Sequence, residues 1–152
     1  MSLERAQNHF KQYGIEDRIH TFPVSSATVE LAAAALNCEP GRIAKTLSFM
    51  LEDKVILILA AGDARIDNAK YKARFGAKAK MVRPEEAEAR IGHAVGGICP
   101  FGVNEGIDVY LDESLKAYQT VFPACGSGNS AIELAIAELE TYSGSCTGRN
   151  LC

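Results

Sequence analysis

Apolar residues recur along this chain at two different periods, and the places where the period changes divide it into short helices and strands. Leu3, Ala6, Phe10 and Tyr13 stand three or four apart with Gly14 behind them, which predicts an amphipathic helix ended by a glycine. Residues 18–22 alternate and stop at Pro23, a short strand. Ser25 and Ser26 offer N-caps to an alanine-rich helix over 28–36 that has Glu30 in its first turn, and 37–41 has turn chemistry. Two β-prone runs, 45–51 and 55–61, flank Glu52-Asp53-Lys54 and predict a hairpin whose second strand, apolar on both faces, is central.

Helical spacing returns over 67–75, stopped by Gly76, and again in a segment that opens at Pro84, carries Glu85, Glu86 and Glu88 near its start and ends before Gly92. Short strands are expected over 80–83, 107–111, 118–122 and 131–134, then a last helix carrying Leu139 and Tyr142 and a loose polar tail over 143–152. The glycine-dense stretch 92–106 is a loop, and loops of that length inside a domain are more often functional than decorative. This order predicts one α/β domain of the α+β kind over residues 1–152: a curled, mixed, mostly antiparallel β-sheet or barrel, built largely from hairpins and surrounded by helices.

The composition, 47% hydrophobic and 23% charged, is that of a globular chain and excludes disorder and coiled coil. Its longest strictly apolar stretch is the seven residues 55–61, against about 20 for a membrane span. The first residues lack the apolar core of a secretory signal. Cysteines at 38, 99, 125, 146 and 152 are odd in number and contain no C-x-x-C pair, which points to free thiols in a reducing cytoplasm. Neither a disulfide scaffold nor a metal site is expected, and no cofactor.

Charge is uneven. The net charge is −3, yet 65–83 holds seven bases against the single acid Asp67, while 85–152 holds three bases against ten acids. The basic run is either a solvated helix face or a local phosphate-facing patch on an otherwise acidic protein.

Lys45 opens a strand where a charge spends a β position, so it is either a strand-edge lysine reaching for water or a cationic anchor for a phosphate or carboxyl group. Gly62-Asp63 ends the central apolar strand, where open sheets place ligands. In Gly96-Gly97-Ile98-Cys99-Pro100 the glycines permit close approach of the backbone to a ligand and the proline stiffens the exit. The loop has neither a Walker ending nor a dinucleotide fingerprint. Gly126-Ser127-Gly128-Asn129-Ser130 is a second backbone-rich wall or a plain turn. A Cys99–His93 nucleophile and base pair is the other candidate, set against a cysteine that is only a small buried hydrophobe.

Taken together, Ile43-Ala44-Lys45-Thr46-Leu47, Ala61-Gly62-Asp63 with Lys70 and Ala77-Lys78, the run from Gly92 through Gly96-Gly97-Ile98-Cys99-Pro100-Phe101-Gly102, and the stretch 126–134 resemble the YbaK/EbsC/ProX family. These are free-standing relatives of the editing domain inserted in bacterial prolyl-tRNA synthetase, and the resemblance covers about residues 19–139. It implies that fold, and hydrolysis of the ester of a mischarged aminoacyl-tRNA between a sheet and the glycine-proline loop. It further implies Lys45, Gly96, Gly97 and Pro100 as the catalytic set. His20, Gly62, Asp63, Ile98, Cys99, Gly126 and Ser127 would bind substrate, and Lys70, Arg74, Lys78 and Lys80 would bind tRNA. No metal and no covalent intermediate are implied; a ribose hydroxyl of the terminal adenosine helps to activate water in family members. Ala131 stands where YbaK-type members carry an aspartate, so the chain is nearer other ProX-like branches, with alanine, serine, threonine or cysteine as the amino acid. The expected partners are mischarged tRNA and a synthetase. The competing readings are a non-catalytic tRNA-binding or synthetase-associated module and a thiol hydrolase built on Cys99 and His93.

Overall fold

The apolar run at 55–61 becomes the middle of a sheet in the computed structural model, which describes residues 2–149. Strands β2 (Ile43–Leu51) and β3 (Lys54–Ala61) form an antiparallel hairpin in which Ala44 faces Ala61 and Leu51 faces Lys54. The hairpin turns at Glu52, with φ of 60°. Every residue of β3 after Lys54 is buried. The pleat sends Leu57 and Leu59 to a main core with Phe10, Phe101 and Leu139, and Ile56 and Ile58 to a second cluster with Phe49, Tyr71 and Tyr110.

Around this hairpin the strand order is β7-β5-β2-β3-β4-β8. β4 (Asp108–Asp112) joins β3 in parallel and β5 (Thr120–Pro123) joins β2 in parallel, while β7 (Leu134–Ala135) is antiparallel to β5. The sheet is therefore mixed, and the long return from β3 to β4 is a crossover rather than a hairpin. β1 (Ile19–Thr21) pairs antiparallel with β6 (Ser130–Ile132), and a bridge between Ala124 and Ala131 ties this ribbon to the end of β5, which curls the sheet. The segment expected to be a loose tail is, over Cys146–Arg149, a strand, β8, parallel to β4; the expectation for residues 150–152 lies outside the described residues. Its sequence is polar because β8 lies at the end of the strand order, where no internal pattern is demanded.

The helices follow their local signals closely. α1 (Ser2–Lys11) buries Ala6 and Phe10 completely. α2 (Val29–Leu36) is capped by Thr28, whose hydroxyl accepts from the Leu31 N–H at 3.2 Å, rather than by Ser25 or Ser26; the Ser25 hydroxyl instead accepts from the Ala27 N–H, two residues on. α3 (Asn68–Phe75) is capped by Asp67, α4 (Pro84–Ile91) starts on proline, and both end on glycines with positive φ, Gly76 and Gly92. α5 (Ile136–Ser143) carries Leu139 into the core. Among the described residues no helix is long and apolar enough to cross a membrane.

Candidate functional site

The site begins with an incomplete ladder on β2. β5 covers the outer edge of β2 only at Ile43 and Ala44. Further along, the same edge is taken by residues 80–82: the Met50 N–H donates to the Lys80 carbonyl at 2.7 Å, the Val82 N–H donates to the Ser48 carbonyl at 3.0 Å, and Met81 faces Phe49. The expected strand at 80–83 is thus a single bridge, because Pro84 has no N–H with which to extend it. Between these two partners a cavity of about 380 Å³ opens over Lys45 and Thr46. That volume lies in the ordinary range for a small-molecule site.

Its wall comes from five directions. Ile43 to Thr46 and Ser48 come from β2; Ser26 to Val29 and Ala32 from the start of α2; Met81, Val82 and Pro84 from the bridging segment; Val95, Gly96 and Ile98 from the glycine loop; and Phe122, Ala124, Ser130 and Ala131 from the far side. Most of this surface is apolar. Met81 and Val95 are also 56% and 62% exposed, so they stand at the mouth.

Lys45 is the one titratable side chain on this wall among the described residues. It sits on a central strand, not at a sheet edge, opposite Ala60 of β3. Its ammonium group donates to the backbone carbonyls of Gly62, at 3.4 Å, and Ala64. An ammonium has three N–H donors, so two are used for anchoring and one remains.

The glycine loop is built for close packing. Gly96 has φ of 99°, and a Cβ on Gly97 would stand 2.5 Å from the backbone of Gly126 and Ser127. Gly97 therefore faces the second glycine-rich turn, not the cavity, and Pro100 is buried behind the loop, off the wall. Gly126 and Ser127 are likewise behind the wall, although the Ser127 hydroxyl meets that of Ser130, a wall residue, at 2.6 Å.

Cys99 and His93 do converge, with Sγ 3.5 Å from Nε2, but in the core: both are fully buried and neither lines the cavity. Burial pushes the Cys99 thiol up to about 12 and holds His93 below its ordinary value. A thiol so placed is neither a nucleophile nor a substrate contact. His20 is exposed on β1 and away from the wall, and Asp63 is exposed as well; Gly62 contributes through its carbonyl on Lys45. Of the basic residues, Lys70, Arg74, Lys78 and Lys80 are all exposed, and the Arg74 guanidinium lies over the Phe75 and Tyr110 rings at 5.1 and 5.5 Å.

The hydroxyl residues of the wall, Ser26, Thr28, Thr46, Ser48 and Ser130, were not singled out in the sequence as substrate contacts. Thr46 and Ser48 interrupt the apolar run of β2 two residues apart, a period-two signal that was available.

Comparison with known proteins gives this geometry its context. Residues 24–142 match the family described as the aminoacyl-tRNA editing domain. An uncharacterized Bacillus subtilis protein, YwhH, is 52% identical over all of this chain and 98% of its own length. The proline–tRNA ligase of a Geobacillus strain is 30% identical over 73% of this chain, a match that spans 19% of the ligase. A crystal structure described as a candidate trans-editing enzyme for prolyl tRNA synthetase superposes with a TM-score of 0.88 at 31% identity, covering 99% of this chain and 96% of that one.

Proposed function

The chain belongs to the aminoacyl-tRNA editing-domain family, whose members hydrolyse the ester between an amino acid and tRNA, and from that premise we propose that it acts in trans on tRNA mischarged with a small amino acid. Binding alone discriminates one methylene by only ~1–3 kcal/mol, so a synthetase that must reject small look-alikes needs a second, hydrolytic site. The observation that carries the reading is the 380 Å³ cavity with Lys45 tethered on its wall. Its size suits the aminoacyl end of the substrate, and alanine, serine, threonine and cysteine are the candidates.

In this reading water adds to the ester carbonyl carbon, the bond to the ribose oxygen breaks, and that oxygen takes up a proton, leaving free amino acid and intact tRNA. Lys45 uses its remaining N–H on the negative charge of the substrate, either the terminal phosphate or the developing oxyanion. No carboxylate, imidazole or thiol lines the cavity among the described residues, so no side chain of the wall serves as general base. Water activation then falls to the neighbouring ribose hydroxyl of the substrate. Gly96 and Ile98 shape the wall, while Gly97, Pro100, Gly126 and Ser127 hold the loop in place from behind. Lys78 and Lys80, in the stretch leading to Met81 at the mouth, take tRNA phosphates, with Lys70 and Arg74 extending the path along α3. The setting is the cytoplasm, where the substrate is made.

The test is incubation with a panel of mischarged tRNAs, following release of free amino acid. Release of a small amino acid by the wild type, lost in Lys45→Ala, is expected; no release from any tRNA overturns the reading.

A further inference from the structure

The gap on the β2 edge has a definite size: one residue. Along a strand, the N–H and C=O of every second residue point to the same edge. Ser48 and Met50 pair outward with Val82 and Lys80, and Ala44 lies at the β5 contact, so the outward-facing residue between them is Thr46. Neither the Thr46 N–H nor its carbonyl has a partner in the ladder with β5 or in the bonds to residues 80–82. On one side, extending the Met81–Phe49 register would set the N–H of residue 84 against the Thr46 carbonyl, and residue 84 is proline. On the other, the β5 ladder ends at Pro123, and Ala124 is bridged to Ala131 instead.

Backbone groups inside a protein are almost always paired. Among the described residues, an N–H and a C=O of the same residue that both edge partners of β2 leave unpaired belong to the wall of a cavity, next to Lys45. The Thr46 hydroxyl is also buried and without a partner.

The geometry points to Thr46 as the residue that holds the aminoacyl group, through its main chain. An α-amino ester carries an amine and a carbonyl on one Cα, the same two groups that a facing residue in an antiparallel ladder presents. It fills the vacant ladder position as a single-residue strand: the Thr46 carbonyl accepts from the α-amine and the Thr46 N–H donates to the ester carbonyl oxygen. The second bond strengthens as that oxygen becomes an oxyanion, so the amide contributes to catalysis as well as to binding. Recognition of this kind reads the α-amine and not the side chain, leaving side-chain selection to the apolar remainder of the wall. The inference rests on the editing function proposed above and adds the contact that orients the ester.

The experiment uses two non-hydrolysable probes, adenosine carrying a 3′-amide-linked alanyl group and its propionyl counterpart, which lacks only the α-amine. Amide hydrogen exchange and nitrogen-15 resonances are read on the whole protein. In the free protein the Thr46 amide should exchange much faster than those of Met50 and Val82. Saturation with the alanyl probe should protect it and move its resonance downfield, and the propionyl probe should bind about tenfold more weakly, the worth of one hydrogen bond. A Thr46 amide already as slow as Met50 overturns the inference, as does a bound probe that leaves it unmoved, failure of both probes to bind, or equal binding of the two. The editing function is judged separately by amino-acid release from mischarged tRNA, so either conclusion can fall without the other.

Discussion

Lys45 and Gly62 are joined across the end of the central hairpin: the lysine ammonium on β2 donates to the glycine carbonyl just beyond β3, 3.4 Å away. A flexible side chain is thereby turned into a fixed charge on the cavity wall. The neighbouring Ala64 carbonyl completes the tether.

Removing that charge should cut activity sharply without unfolding the protein. A charge-assisted contact is worth ~1.5–3 kcal/mol, so Lys45→Ala should lower kcat/KM by about tenfold to more than a hundredfold. The carbonyls it releases belong to a turn that is partly open to solvent, and the melting temperature should stay within a few degrees. Single-turnover deacylation beside a thermal melt decides; wild-type turnover would remove Lys45 from the site.

Two glycines behind the site should behave differently from a third. A Cβ at Gly62 would overlap the Pro40 carbonyl, and one at Gly97 would stand 2.5 Å from Gly126 and Ser127. Gly62→Ala and Gly97→Val should each lose ~1–3 kcal/mol of stability together with turnover. Gly128→Ala, with its nearest contact 3.5 Å away at Ala27, should be tolerated. Urea denaturation of the three variants is the measurement.

The buried thiols predict an alkaline weakness. Burial raises Cys99 from 9.0 to about 12, and Cys125 moves in the same direction for the same reason. A raised folded-state value keeps the thiol protonated in the native protein while the unfolded chain ionises. Its stabilising contribution is full below pH 9 and is lost as pH rises from 9 toward 12. Cys99→Ser should flatten that part of the stability profile and keep most of the deacylase activity. Complete inactivation would restore the cysteine hydrolase reading.

Salt should separate bound from solvated bases. Lys78→Ala/Lys80→Ala should reduce the log-log salt slope of tRNA affinity by about 0.7 to 0.9 per contacting residue. Lys70→Ala/Arg74→Ala, four residues apart on α3, should act together, and Lys72→Ala should change the slope least. Identical slopes throughout would make the basic run a solvated face.

What the sequence disclosed follows the range of the interactions. The β2–β3 hairpin, the glycine stops after α3 and α4 and the proline start of α4 depend on residues a few positions apart, and all are where they were expected. The position of Lys45 on the wall was legible through its strand and its motif. The parallel joins of β4, β5 and β8 were not, because they pair residues brought together only by crossovers. For the same reason Cys99 and Pro100 could not be told from Gly96 and Ile98: alternate residues of one loop divide between core and cavity according to what packs behind them.

The strand β8 changes what trimming this protein would do. With Cys146–Arg149 laid beside β4, the row of hydrogen-bonding groups along β4 is capped from within the chain. A version cut at Gly144, the left-handed glycine that ends α5, would present that row to solvent as a template on which a second molecule could pair. The polar C-terminal stretch that looks dispensable in sequence thus covers the β4 edge, on the far side of the hairpin from the cavity.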